Sequence, residues 1–351
     1  RLVGAPAGRS RRSWAAGALA LSLLPAGTAF QILRPEPSEL EVSSSPVRLA
    51  SAAAPASGRD EFGRRGTWSL ERQSDGSVWL EMRMRSENGR HNWSNSSTFP
   101  ASELQGLGAG PEVRFEIRRD AGTFRFEGRL EGKQGTGFFT FEGNPAYVRD
   151  MSAMGYRVAE DRLLEMALHD VSLSFVREIH DLGYRDVSLD KLVEFRIHGV
   201  SPAFIREMMS LGYRDVPADR LVEFRIHGVS PDFVRGLADS GYRDIPTERL
   251  VEFRIHGVSP EFVRELAAAG YRDVPPERLV EFRIHGVSPA YIRELAGAGY
   301  RDLSAERLVE FRIHGVDAEF IRQAASRGYR NLSAEDLLDL KITGRLDRGE
   351  S

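Results

Sequence analysis

The sequence predicts an α+β, multi-domain protein: a small antiparallel β-sheet domain followed by an all-α solenoid of about seven 29-residue helix-hairpin repeats. Three observations carry this. Gly183, Gly212, Gly241, Gly270, Gly299 and Gly328 each precede Tyr-Arg at a spacing of 29, with Gly155 one residue closer. Residues 60–143 instead alternate apolar and polar side chains, the period of a half-buried strand. Between these regions and the N-terminus lies a Pro-, Ser- and Ala-rich stretch with no sustained period.

Taken in order, residues 1–33 read as a signal peptide or a membrane anchor. Arg1, Arg9, Arg11 and Arg12 precede Trp14–Phe30, 17 residues without a charge. Either reading leaves the remainder outside the cytoplasm, because positive charge stays inside. A chain opening on Arg1 rather than methionine is what a fragment or processed product would show. Residues 34–59 are expected to form a flexible linker.

In residues 60–143, Trp68 and Leu70 alternate up to a turn at Asp75-Gly76, and Val78, Leu80, Met82 and Met84 resume the pattern, a hairpin signal. Val113, Phe115 and Ile117 then face one way before a turn at Ala121-Gly122, with Phe124, Phe126, Phe139 and Phe141 on further strands. Five or six strands are expected, with Phe99–Leu104 as a short helical turn.

Residues 144–344 form the solenoid and 345–351 a disordered tail. In the unit from Val258 to Gly286, Ser259 is a good N-cap and Pro260 sits at N1, where its missing N–H is harmless. Gly270 ends that helix and a second runs from Pro276 to His285. Helices of about ten residues are too short to persist alone in water. They are expected to bury Phe262, Leu266, Leu279, Phe282 and Ile284 against neighbouring units. Gly212, Gly241, Gly270 and Gly299 are structural repeat positions.

So are His198, His227, His256, His285 and His314, each the last helical residue before a glycine, where a cation meets the negative helix end. Glutamates four residues earlier lie within reach of each ring. One histidine per unit, a repeat apart, cannot converge on a metal. Arg264, Arg272, Arg278 and Arg283 recur in every central unit. They form either an ion-pair ladder or a charged surface for a protein partner.

Several chemistries are excluded or disfavoured. Without cysteine there is no disulfide, thiol nucleophile or thiolate metal site, and a net charge of −3 gives no basic field for nucleic acid. "SLDK" (Ser188–Lys191) matches a nucleophile motif, yet sister units carry "PADR" and "SAER" there, so Ser188 is a helix cap. "GLGAGPE" and "GKQGTG" lack the strand–loop–helix setting of a phosphate loop. Trp68, Trp79 and Trp93 offer a sugar-stacking platform, but Trp68 and Trp79 lie in strand pattern and read as core.

The repeat "GYRDVPPERLVEFRIHGVSPEFVREL", with the preceding "GTFRFEGRLEGKQGTGFFTFEGNPAYV", resembles the C-terminal extracytoplasmic repeat region of bacterial antirepressor membrane metallopeptidases, which are related to beta-lactam-sensing transducers. The resemblance implies a sensor or interaction region outside the membrane. No His-Glu-x-x-His is present, so no catalytic residue carries over. The expected function is a non-enzymatic extracytoplasmic module for protein interaction or envelope sensing, without cofactor or nucleic acid, touching membrane only through its N-terminal apolar segment. The alternatives are the sensor region of a zinc metallopeptidase encoded upstream, and a glycan-binding module using the sheet's aromatics.

Overall fold

The computed structural model describes residues 65–85 and 92–346; the expected signal or anchor and the linker lie outside them. Six strands, β1 (Arg65–Arg72), β2 (Ser77–Arg85), β3 (Asn92–Pro100), β4 (Glu112–Arg119), β5 (Gly122–Glu131) and β6 (Gln134–Gly143), make one antiparallel sheet. Its order is β3-β2-β1-β6-β5-β4. Hairpin turns fall at Asp75-Gly76, as the alternation predicts, and at Asp120-Ala121, one residue earlier than expected, because Arg119 pairs with Gly122. A 3-10 turn between β3 and β4, Ala101–Glu103, matches the expected helical turn.

The sheet curls until Trp68 of β1 meets Phe115 of β4 edge to face at 5.3 Å, across the two intervening strands. Glycine makes room for this. A Cβ on Gly128, Gly135 or Gly137 would approach the Trp68 indole to 2.6, 3.2 or 2.8 Å. The indole N–H donates to the carbonyls of Glu127 and Phe138, so the buried ring leaves no polar atom unpaired. The glycines of "GKQGTG" therefore serve a hairpin and a tryptophan, not a phosphate.

Fourteen helices follow among the described residues, paired into seven units. The first unit has α1 (Pro145–Ala153) and the short α2 (Leu163–Leu168), whose Leu163 packs on Gly143 at the sheet's end. The next six are α3 (Leu173–Asp181) with α4 (Leu189–His198), α5 (Pro202–Ser210) with α6 (Ala218–His227), and α7 (Pro231–Asp239) with α8 (Thr247–His256). Then come α9 (Pro260–Ala268) with α10 (Pro276–His285), α11 (Pro289–Gly297) with α12 (Ala305–His314), and α13 (Ala318–Ser326) with α14 (Ala334–Thr343). First helices stack on first helices and second helices on second, the second layer more closely.

Local chemistry sets the helix ends. The Ser259 hydroxyl accepts from the Phe262 N–H at 3.2 Å, and Pro260 occupies the first turn. At the other end Gly270 is left-handed at φ 96°, which lets the Tyr271 N–H close on the Leu266 carbonyl. The second helix ends the same way, with Gly286 at φ 73° and the Val287 N–H on the Phe282 carbonyl at 2.7 Å. Ser188, like Ser304, caps its helix by accepting a backbone N–H, which accounts for "SLDK". The core runs unbroken from the sheet through the stack, and Leu346, in the stretch assigned to the tail, is buried.

Candidate interaction surface

The units are tied by two reciprocal contacts. Arg283 of α10 lies over the Phe262 ring at 4.9 Å and donates through Nε to the His256 carbonyl, the last of the preceding α8. Its guanidinium also fills the space where a Cβ on Gly257 would stand, 2.8 Å away. Arg196, Arg225, Arg254 and Arg312 repeat the arrangement, and Lys341 takes the same place over Phe320. In the opposite direction the Tyr271 hydroxyl donates to the Leu303 carbonyl of the following unit at 2.8 Å. Tyr184, Tyr213, Tyr242 and Tyr300 do likewise. Burial pushes the phenols of Tyr184 and Tyr213 up to about 12, with Asp215 and Asp244 adding to the shift.

The four candidate arginines do not converge. Arg264 is on the first-helix face, paired with Glu261. Arg272 stands exposed in the connector and makes no ion pair among the described residues. Arg278 bonds Glu281 of its own helix and Glu306 of the next, part of a ladder that repeats at Lys191, Arg220 and Arg249. Arg283 is committed to the joint.

His198, His227, His256 and His285 sit where expected, but each helps the joint through its backbone carbonyl, which takes the next unit's arginine. The glutamates four residues earlier do not reach the rings: Glu223, Glu252, Glu281 and Glu310 bond the arginine three residues before them. The Arg196–His169 contact identifies His169 as the first unit's copy, 29 residues before His198 but followed by Asp170 where the others have glycine. Among the described residues no group of three or more His, Asp or Glu side chains could hold a metal ion.

Ile284, expected in the core, is 55% exposed. It lies five residues past Leu279, about 140° round the helix from that buried position. Ile197, Ile226, Ile255, Ile313 and Ile342 are exposed to the same degree, and the half-buried Leu168 holds the place in the first unit. The stack thus carries an apolar row along its second-helix layer. The first helices expose Glu261, Arg264 and Glu265 at the corresponding depth and have no such row.

Elsewhere, a cleft of about 790 Å³ lies between the first two units, lined by Tyr156, Arg177, His180, Arg185 and Asp186 among others. Here the regular joint is replaced: Tyr156 bonds the His180 ring at 2.8 Å, where other units have methionine or alanine. Burial and Asp186 push the Tyr156 phenol up. Trp68 is buried and so cannot stack a sugar; Trp79 is half-buried on the opposite sheet face. His91 and the side chain of Trp93 lie outside the described residues.

No helix among the described residues is long and apolar enough to cross a membrane. No protein family matches the chain, and no curated protein matches it.

Proposed function

We propose that the protein is a non-catalytic interaction module, held outside the cytoplasm, that docks a polypeptide partner along the second-helix layer of its stack. One observation carries this reading: a row of half-exposed isoleucines, one in each unit after the first, on the outward face of the second helices. Soluble proteins seldom expose contiguous large apolar patches without a use for them. Placement outside the cytoplasm is supported by the arginine-led apolar segment Trp14–Phe30.

The test places a photo-reactive residue at Ile255 or, as control, at Arg264 in cells producing the full chain, and identifies crosslinked proteins. A partner captured from Ile255 and not from Arg264 is the expected outcome. Equal capture from both, or none from either, sinks the docking reading. Protection of the stack from protease added outside intact spheroplasts would sink the location.

A further inference from the structure

We infer that the occupant of the isoleucine row is a basic amphipathic α-helix of a partner protein, lying along the stack with one apolar side chain per unit. This rests on the docking reading above and adds the chemistry of the partner.

The seven units provide an internal comparison that separates constraint from copying. Two exposed positions of the first helix have drifted, although the exposed arginine at Arg264 and its counterparts has not: Ser174, Ala203, Asp232, Glu261, Ala290 and Glu319 occupy one, and Asp181, Ser210, Asp239, Ala268, Gly297 and Ser326 the other. The isoleucine holds in six units, with the similar Leu168 in the first. It survives even in the last unit, where the neighbouring Val, Phe, Arg and His have become Leu338, Leu340, Lys341 and Thr343. Recent duplication alone does not account for an exposed apolar residue holding while these two positions vary. Nor does folding explain it, since the side chain is half in water and β-branched residues are mediocre helix formers.

Charge selects the partner. Beside each isoleucine, on the same exposed arc of the helix, stand two carboxylates and one cation: Glu277 and Glu281 with Arg278, Glu248 and Glu252 with Arg249, Asp219 and Glu223 with Arg220. The last unit has Glu335, Asp336 and Asp339 there, and its Lys341 lies over Phe320 in the joint. The face is therefore acidic along its whole length. A second copy of this face would meet it with like charge, whereas a lysine- or arginine-bordered apolar stripe complements it.

Spacing and width together select the conformation. Packed helices lie roughly 8–10 Å apart, which sets the interval between isoleucines. Seven residues of an α-helix advance about 10.5 Å and return to the same face. Same-face residues of a strand recur at about 6.6 Å and fall out of step. A helix is also wide enough, at about 10 Å, to cover the isoleucines and the carboxylates beside them together.

The test uses the full chain and synthetic peptides of about four heptads, read by fluorescence anisotropy. One is lysine-rich with leucine at every seventh position, one has glutamate for lysine, and one has its leucines scrambled out of register. A proline-based basic peptide with leucine at every third position presents a similar interval without a helix. The registered basic helix should bind, and added salt should weaken it. Replacing Ile226, Ile255 and Ile284 together by Ser should weaken it on the order of 30-fold, while Ile→Leu at the same positions retains it. Equal binding of the acidic or scrambled peptide, stronger binding of the proline peptide, or indifference to the Ser variant overturns the inference. If photo-crosslinks at Ile255 form but the basic peptide does not compete them away, docking stands and the basic helix falls. If no crosslinks form, the surface itself is wrong.

Discussion

At the scale of single residues, the backbone asks for conformations that few side chains tolerate. Asp215, Asp244, Asp273 and Asp302 sit at φ between 54° and 57°, and Asn331 takes the same place. Asp and Asn adopt this left-handed region several-fold more often than other non-glycine residues. Asp273→Gly should therefore be close to neutral, whereas Asp273→Val should cost about 1–2 kcal/mol, measured by urea unfolding. Gly257→Ala faces two penalties, a φ of 73° and a collision with the Arg283 guanidinium, so it should cost more than Gly270→Ala, whose Cβ would meet nothing. If the two alanine variants melt together, the guanidinium has freedom that its place against Gly257 does not suggest. Sequence showed the glycines at once, because their spacing is regular and only glycine suits so many helix ends. It did not show the aspartates' strain, since an Asp in a polar connector looks like any solvated residue. Ile284 departs from the core for a related reason: an apolar letter in a short helix does not carry its angle round the axis.

At the scale of the element, each helix pair is held by what it exchanges with its neighbours. Arg283→Leu keeps some of the stem's packing but removes the hydrogen bond to the His256 carbonyl and the charge over Phe262, and should cost about 1–3 kcal/mol. Because that contact recurs, the same change at Arg254 should cost a similar amount, a check that calorimetry can make directly. The tyrosines give the joints a pH limit. For Tyr184 and Tyr213 the folded protein holds the phenol proton up to about 12, above the ordinary value near 10. The folded state thus binds more protons across that interval, so stability falls as pH rises from about 10 towards 12 and is unaffected by these groups below it. The melting temperature of a Tyr184→Phe, Tyr213→Phe variant should decline less steeply over that window; an identical decline would mean that other groups set the alkaline limit. The helix pair itself was legible, through caps, terminal glycines and period. The joints were not, because a carbonyl acceptor has no signature in a sequence: the recurrent His is visible, while the backbone oxygen that takes the next arginine is not.

At the scale of the whole molecule, every central joint is built alike, so units should be interchangeable. Excising Val258–Gly286 would bring Gly257 directly to Val287, and Arg312 would inherit the place of Arg283. The shortened chain should fold with unchanged helicity per residue and a modestly lower melting temperature, as nearest-neighbour stacks do. Loss of cooperative unfolding would show that the units are not equivalent after all. The order of sheet and stack was legible because strand and helix periods differ, whereas the continuity of their core was not, since no local pattern records Leu163 resting against Gly143. The direction of the joints has a further consequence. Tyrosine reaches forward and arginine reaches back, so contact between units is head to tail, a geometry that does not close on itself and, left open at both ends, propagates into filaments. In this chain the curled sheet sits against the first unit and Leu346 is buried beyond the last helix. A plug at the leading end denies this joint to the trailing end of any other copy, even one that is bare, and it does so by shape without any need for surface charge.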